Sequence, residues 1–289
     1  MKRSTFIKLT SMTITGALLH PNSLFGSSVH TPRMPVLFMG HGSPMNAIED
    51  NAFTKGWAEA VKGIPSPKAI LVVSAHWETV RKTKVFSGVQ PKMIYDMSGF
   101  PKALYEVRYE VEGQPQLAQE IHRKIHSTTI ETTEDWGLDH GAWSVLVKMF
   151  PQANIPCFQL SLNTTRDLNY HYELGKELGY LRDQGVLIVA SGNIVHNLRY
   201  AFTPDPSVRT WTQDFDLQVA DAIQNKAHEK LIDYKQFGQA GLLSVNSGEH
   251  YVPLLYALGA QRNDDEVTFI NHEIPVDFNA ISMRCLKIG

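Results

Sequence analysis

Histidine is the residue type that marks this sequence for chemistry, because the chain has 12 of them. Imidazole titrates near neutral pH and is a common ligand for Fe(II) and Zn(II), so it suits both acid–base catalysis and metal binding. Three histidines stand beside small residues just past apolar, strand-like runs: His41 in FMGHGSP, His76 in VVSAHWE and His196 in IVASGNIVH. Small neighbours let backbone and ligand approach closely.

The position of these three histidines predicts that they converge. In an open parallel sheet, the carboxyl ends of the strands share one edge, and ligands bind at that edge. One histidine there is usually a cap or a core residue, but three at equivalent strand ends favour a shared metal ion. His140, before a helical stretch in GLDHGAW, and His250, before one in SGEHYVPLLYALGA, are further candidates.

Other catalytic and metal-binding patterns are missing from the sequence. It has no GxSxG elbow, no Walker loop and no GxGxxG motif. The two cysteines, Cys157 and Cys285, form no CxxC pair, so no thiolate zinc site is predicted. Each lies in an apolar run and is interpreted as a small buried hydrophobe, although a disulfide between them stays open.

From Met34 onward, apolar runs typical of strands alternate with helical patterns. This alternation predicts a single α/β domain with a central, mostly parallel (mixed) sheet flanked by helices. The segment 90–113 has many aromatic residues and little periodicity, so it is interpreted as an insertion or lid. The predicted strands are 34–40, 69–75, 82–88, 155–162, 185–192, 267–274 and 283–289. The predicted helices are approximately 52–62, 115–127, 142–149, 168–183, 210–228 and 251–259.

Composition and net charge limit which classes of partner the protein can bind. The chain has 289 residues, of which 43% are hydrophobic and 19% charged, as expected for a globular domain with a sizeable core. Its net charge of −2 and the lack of any Lys/Arg run argue against a nucleic-acid partner. No run reaches the roughly 20 apolar residues of a membrane-spanning helix, so the mature form is expected to have no membrane partner. Nothing in the sequence indicates an oligomeric state.

Residues 1–33 differ from the rest and are interpreted as an N-terminal extension to a main domain at 34–289. Basic residues come first, a weakly apolar stretch follows at 9–19, and small residues end it in FGSSVH, the order found in export signals. RSTFIKL also resembles a degraded twin-arginine signal with Ser4 at the second arginine position. Two interpretations stay open: export to the periplasm, or an extension on a cytoplasmic protein.

Five motifs occur in an order that points to a known family. From about Met34 to its end, the chain resembles the class III extradiol ring-cleavage dioxygenases of the DOPA 4,5-dioxygenase type. The resemblance implies one α/β catalytic domain that opens the ring of a small aromatic diol, with both atoms of O₂ entering the product, at a non-haem metal. The motifs are GHGSPMNAIED (40–50), SAHWET (74–79), GLDHGAWSVL (137–146), SGNIVHNL (191–198) and EHYVPLLYALGA (249–260).

The resemblance also implies a set of metal ligands. His41 and His76 would bind the ion, and His196 and His250 would complete its coordination or line the site. Better-known catechol-cleaving members use two histidines and a glutamate, whereas the matching position here is His250, with Glu249 as a rival. Fe(II) is expected for activity, and because an all-histidine site suits zinc, purified protein is expected to be able to hold Zn(II).

Catalytic and substrate-binding roles follow as hypotheses. His196 is the first candidate for the base that removes a proton from the diol, and His140 for orienting substrate and handling protons on dioxygen. Ser43, Trp77 and Tyr251 are candidate substrate contacts. Further candidates for apolar walls are Tyr95, Phe100 and Trp143.

Two alternatives stay open at this stage. The same histidines with zinc would activate water, as in a zinc hydrolase that needs no O₂. A metal-binding protein without turnover would need the ligands but no catalytic base. The identity of the diol is also left open by the sequence.

Overall fold

The computed structural model describes residues 32–289, so the predictions for residues 1–31 lie outside the described residues. The strands are Val36–Gly40 (β1), Ala69–Thr79 (β2), Thr83–Phe86 (β3), Lys92–Met93 (β4), Ile130–Thr133 (β5), Gly137–Leu138 (β6), Cys157–Asn163 (β7), Val186–Gly192 (β8), Val267–Phe269 (β9) and Leu286–Ile288 (β10). The α-helices are Ala52–Ala60 (α1), Lys102–Tyr105 (α2), Pro115–Lys124 (α3), His140–Met149 (α4), Leu168–Leu178 (α5), Leu198–Ala201 (α6), Pro206–Gln224 (α7), His228–Ile232 (α8), Gly238–Ser244 (α9) and Val252–Gly259 (α10). Short 3₁₀ helices span Pro44–Ala47, Gly179–Gln184 and Tyr234–Phe237.

The central sheet has eight strands in the order β5-β3-β7-β2-β8-β1-β10-β9. β7, β2, β8 and β1 are neighbours and run parallel, and β3 also pairs parallel with β5. The pairs β3–β7, β1–β10 and β10–β9 are antiparallel. The predicted α/β class with a mostly parallel, mixed sheet is therefore confirmed.

Both faces of the sheet are buried, which explains why its central strands are apolar throughout. In β1, Leu37 and Met39 pack on one face in a cluster that includes Trp57 of α1 and Trp143 of α4. Val36 and Phe38 point to the opposite face, in a cluster that includes residues of α7 and α10. Helices therefore cover the sheet on both sides, and the carboxyl ends of β1, β2 and β8 lie side by side.

Most predicted elements are present, and the differences have local causes. β9 is shorter than predicted, and β4, β6 and α2 have too few residues to produce a periodic pattern. β2 continues to Thr79 because a register shift between Val73 and Glu78 lets it stay paired with β7. His76 therefore lies inside β2, not beyond its end.

Two smaller interpretations can be checked directly. The segment 90–113 contains β4, which pairs with β6 in a two-stranded sheet apart from the central one, and the short helix α2. Cys157 and Cys285 are both buried and free, as the hydrophobic interpretation expected. None of the helices within residues 32–289 combines the length and apolar character needed to cross a bilayer.

Candidate metal centre

Three histidines from distant parts of the chain come together at one edge of the sheet. His41, His76 and His250 offer ring nitrogens that all lie within 4.8 Å of one another. The Nε2 atoms of His41 and His76 are 3.3 Å apart. Imidazole nitrogens bind zinc at about 2.0–2.1 Å, so two that share an ion lie roughly 3 Å apart. The spacing therefore fits a single divalent ion.

Each histidine reaches this point from a different element. His41 follows β1, where its backbone N–H donates to the carbonyl of Gly192 at the end of β8 (3.1 Å). His76 projects from β2, and His250 lies two residues before α10. The loop with His250 crosses directly over the end of β8, where a Cβ on Gly192 would stand 2.1 Å from the His250 carbonyl oxygen. Glycine is required at that crossing.

The hydrogen bonds of His41 determine its tautomer. The Ser191 hydroxyl donates its one proton to the carbonyl of Gly141 at 2.6 Å. It can therefore only accept from the Nδ1 atom of His41, 3.0 Å away, which must carry the ring proton. The Nε2 atom of His41 is left with a lone pair facing the other histidines, which is the state a metal ligand needs.

Carboxylates face the Nδ1 atoms of the other two histidines. Oε1 of Glu249 lies 3.0 Å from Nδ1 of His250, and Oδ2 of Asp96 lies 3.4 Å from Nδ1 of His76. An acceptor at Nδ1, called here the rear nitrogen because Nε2 faces the other histidines, orients the ring and raises the basicity of Nε2 as a ligand. Glu249, a rival for the third ligand on sequence grounds, thus contacts the rear nitrogen of His250.

Burial keeps these rings neutral. Desolvation, followed by repulsion from the neighbouring histidines, lowers the pKa of His41 and of His250 well below the usual value. The same causes lower the pKa of His76 to about 3, against the opposing charge of Asp96. Metal binds to neutral imidazole. At neutral pH the three rings are already neutral, so metal binding releases no proton from them.

The N-terminus of α4 approaches the cluster at Gly141. A Cβ at this position would lie 2.6 Å from Oγ of Ser74, 2.8 Å from Cδ2 of His76 and 3.3 Å from Cε1 of His41. The buried side chain of Asp139 caps α4 by accepting from the backbone N–H of Ala142 (3.0 Å) and from the hydroxyl of Ser74 (2.6 Å). These bonds hold α4 against β2 and so fix where His76 stands.

His140 is the first residue of α4 and lies against His76, with ring centroids 3.8 Å apart. Its backbone N–H donates to Oδ1 of Asp96 (2.9 Å), and its Nδ1 lies 3.0 Å from Oδ2 of Asp96 without a well-aligned hydrogen bond. Burial acts to raise the pKa of Asp96, but the contacts with His140 outweigh it and leave the pKa below its usual range.

His196 lies next to the cluster but not in the triad. Its ring stacks on His250 at 3.5 Å with an interplanar angle of 9°, and its nearest candidate ligand group contains His250 and Glu249. The expected trio of His41, His76 and His196 is therefore not the group whose nitrogens lie closest together; His250, also a predicted candidate, joins His41 and His76 instead. His196 comes four residues after β8, in a segment that forms an antiparallel bridge to Ile281. Burial lowers its pKa to about 4.

A cavity of about 590 Å³ opens over the histidines. His76, His140, His196 and His250 line it, so ring atoms of both the triad and its neighbours face the same space. A depression of about 960 Å³ near Val89 and Pro156 is larger, but no histidine lines it. The other lining residues of the smaller cavity are Gly42, Ser43, Pro44, Met45, Ala75, Glu78, Met97, Phe100, Leu198, Phe202, Glu249, Phe278 and Ile281.

Two of the predicted substrate contacts lie elsewhere. Trp77 points to the opposite face of β2 from His76, as strand alternation requires, and stacks on Trp136 at 5.4 Å. Tyr251 is buried, and its hydroxyl donates to the carbonyl of Leu231 (3.0 Å). Neither lines the cavity, whereas Ser43 does, with its Oγ accepting from the backbone N–H of Met45 (3.2 Å).

Of the three further candidates for apolar walls, only Phe100 lines the cavity. Trp143 is buried and donates through Nε1 to the carbonyl of Ile94 (3.0 Å). The hydroxyl of Tyr95 donates to the carbonyl of Val107 (2.6 Å).

The chain is similar in sequence to known ring-opening dioxygenases. The family model for the catalytic LigB subunit of aromatic ring-opening dioxygenase matches residues 27–278. The 4,5-DOPA dioxygenase extradiol of Escherichia coli K12 is 41% identical over 265 residues, which cover 89% of this chain and 95% of that protein. The protein of the same name from Beta vulgaris is 36% identical over 242 residues, covering 81% and 90%.

A solved structure agrees with the fold. The crystal structure of the uncharacterized protein JW3007 from Escherichia coli K12 superposes with a TM-score of 0.75 at 37% sequence identity. The similarity covers 89% of this chain and all of that one.

Proposed function

Because this chain belongs to the LigB family of class III extradiol ring-cleavage dioxygenases, we propose that it opens a small aromatic diol with O₂ at a divalent ion held by His41, His76 and His250. The observation that carries the proposal is the convergence of three neutral imidazoles, each with its Nδ1 atom facing an acceptor, where two of them, His76 and His250, line a cavity.

The donor set fits a divalent transition metal. Three imidazoles are borderline ligands suited to Fe(II) or Zn(II), and a site with three protein ligands leaves positions open to substrate. Fe(II) is the proposed working metal because, when bound, it would act as a Lewis acid for the diol and would pass electrons from the diol ring to O₂. Zn(II) suits the same nitrogens, so a purified sample could hold zinc. Because zinc has no redox chemistry, that sample would be inactive as a dioxygenase.

His196 is the proposed base for the diol. Its ring lines the cavity, and burial lowers its pKa to about 4, so it is neutral at pH 7. A diol hydroxyl acidified by a bound cation would be a strong enough acid to protonate it. Its stacking on His250 keeps the ring beside the triad without using it as a ligand. A base in this position would take a hydroxyl proton as the diol binds.

His140 is the proposed residue for orienting substrate. It lines the cavity, and Asp96 contacts both its backbone N–H and its Nδ1, which fixes the orientation of the ring. The remaining ring nitrogen is then available to hold or pass a proton on the substrate side. Apolar walls, among them Met45, Phe100 and Phe278, would exclude water from the reacting ring.

The comparisons favour neither of the two alternatives. A zinc hydrolase and a metal-binding protein without turnover would use the same histidines, but the family model and the curated relatives that match are named as dioxygenases.

The proposal is tested by oxygen consumption. Protein purified without air, stripped of metal and reloaded with Fe(II) is expected to consume one O₂ per diol and to form a ring-opened product that absorbs visible light. Protein reloaded with Zn(II) is the matched control and is expected to consume none. No uptake by the iron-loaded protein across a panel of catechols would contradict the proposed function.

A further inference from the structure

Within residues 32–289, the side chains that line the cavity and carry a charge at neutral pH are all acidic. Of the 17 lining residues in this part of the chain, Glu78 and Glu249 carry carboxylates, and none is lysine or arginine. A substrate side chain that ends in a carboxylate would therefore meet no cation on the cavity wall. Its charge would be partly desolvated without compensation, which is costly.

Glu249 and Glu78 differ in what they already bind. Glu249 accepts from the hydroxyl of Ser247 (2.9 Å) and contacts Nδ1 of His250 (3.0 Å), so its charge is in use. Within residues 32–289, Glu78 makes no side-chain hydrogen bond and no ion pair. It lies two residues after His76 on β2, and both line the cavity. As a whole residue Glu78 is exposed, but partial burial and, less strongly, the charge of Glu249 raise the pKa of its carboxyl, as expected for a position at the mouth of the cavity.

The cations closest in sequence to the wall residues point elsewhere. Nζ of Lys102, two residues after Phe100, pairs with Glu106 at 3.2 Å. The guanidinium of Arg199, which follows Leu198, lies over the ring of Tyr200, 5.7 Å from the ring centroid. Neither lines the cavity, so neither is placed to hold a substrate carboxylate.

We propose that the cavity selects aromatic diols whose side chain ends in a cationic amine, with Glu78 as the ion-pair partner, over diols whose side chain ends in a carboxylate. This inference rests on the proposed function, because it assumes that the diol ring binds at the histidines. The apolar wall formed by Met97, Phe100 and Phe278 would contact the carbon linker between ring and amine. A side chain with both charges would rank between the two.

Binding to the zinc-loaded protein tests this without turnover. Three catechols of matched size carry different ends: 4-(2-aminoethyl)catechol is cationic, 4-propylcatechol neutral and 3-(3,4-dihydroxyphenyl)propanoate anionic. Calorimetry is expected to rank their affinities in that order. The cationic diol should bind about two- to fivefold more tightly than the anionic one, as expected for one solvent-accessible ion pair. Raising the salt concentration should shrink the ratio.

Substitution of the glutamate identifies the residue responsible. Glu78→Gln is expected to reduce the cation-to-anion affinity ratio to about 1. The matched control, Glu110→Gln, changes an exposed glutamate that does not line the cavity and should keep the wild-type ratio. Equal or tighter binding of the anionic diol by the wild type, or a ratio that Glu78→Gln leaves intact, would overturn the inference.

Oxygen uptake by the iron-loaded protein separates the two possible failures. If none of the three diols supports uptake, the proposed function fails and this inference fails with it. If all three are opened without charge selectivity, only this inference is overturned.

Discussion

The hydrogen-bond partners of the Nδ1 atoms in the clustered histidines determine whether the Nε2 atoms can act as metal ligands. Ser191 donates its only proton to Gly141, so His41 must carry its proton on Nδ1 and present Nε2 as a lone pair. The carboxylate of Glu249 can likewise only accept from Nδ1 of His250, so His250 also presents Nε2 as a lone pair. The proposed ligand His250 and the proposed base His196 differ by a small step in position, since His196 stacks on His250 but stays outside the triad.

A pair of substitutions should separate these roles. His250→Ala is expected to lower bound iron to a small fraction of one equivalent, because two imidazoles then remain. His196→Ala is expected to retain close to one equivalent and to lower kcat by about 10²–10⁴-fold, the range for loss of a general base. Metal analysis by mass spectrometry and oxygen uptake measure the two effects. Equal loss of metal in both variants would contradict the division of roles.

The sequence predicted the histidines better than their partners. His41 and His76 have a local signal, an apolar strand followed by small residues, and sheet geometry tells where such residues gather. Asp96 has none, because it lies in a segment without periodicity and acts only after folding brings it to His76 and His140. Trp77 was misassigned because a one-residue step along a strand moves a side chain to the other face.

At the scale of elements, the close approach of α4 to β2 builds the site. Gly141→Ala adds one methyl group where Ser74, His76 and His41 already lie within 3.3 Å. The helix itself tolerates alanine well, so the protein should fold while the two imidazoles are displaced. We expect metal affinity to fall at least about tenfold, as for other shifts of supporting groups, with a normal circular dichroism spectrum.

Gly179→Ala is the matched control for this prediction. A Cβ there would meet nothing closer than 3.7 Å, so metal affinity should stay as in the wild type. Unchanged metal affinity in Gly141→Ala would mean that the approach of α4 does not position the histidines.

The longer elements were predictable, and the shortest were not. β1 and β8 are mostly apolar runs of five and seven residues buried on both faces, which is a strong sequence pattern, and β7 is equally buried although it alternates apolar residues with Gln159, Ser161 and Asn163. β4 and β6 have two residues each and exist only because they pair with each other. The extension of β2 past Ala75 depends on a register shift against β7, which no local pattern encodes.

At the scale of the whole molecule, a buried ion pair joins distant parts of the chain. Arg182 contacts Asp265 at 2.5 Å and also donates to the carbonyls of Met34 (2.8 Å) and Ala260 (2.7 Å). Arg182→Met is expected to lower the free energy of unfolding by up to about 3–5 kcal/mol, because the buried carboxylate of Asp265 then keeps only Arg33 (3.3 Å) and the backbone N–H of Arg262 (2.7 Å) as partners. Adding Asp265→Leu should recover much of that loss in urea denaturation; a double variant no more stable than the single one would contradict this.

Buried histidines should make the metal-free protein sensitive to acid. Burial lowers the pKa of His171, which contacts the hydroxyl of Tyr256 (3.0 Å), to about 4, and that of His196 also to about 4. Unfolded histidines titrate near 6.5, so between roughly pH 6.5 and 4 only the unfolded chain binds these protons. Stability must therefore fall as pH is lowered through this window, by up to about 1.4 kcal/mol per unit for each group.

Urea denaturation between pH 7 and pH 4.5 measures this slope. His171→Gln keeps a group that can hydrogen-bond to Tyr256 but cannot be protonated, so its slope should be shallower than that of the wild type. An identical slope would show that His171 does not contribute.

The fold class followed from the alternation of strands and helices alone, and the metal chemistry from histidines at strand ends. His250 was a candidate through the family resemblance and not through this strand-end pattern, because it has no strand before it and reaches the site through a loop over Gly192. Only the assembled sheet brings that loop to His41 and His76.

The most direct test of this account is an anomalous-difference map at the iron absorption edge from crystals of the iron-loaded protein. One strong peak is expected within bonding distance of Nε2 of His41, His76 and His250, with His196 unbound. A peak held by other residues, or none at this edge of the sheet, would contradict it.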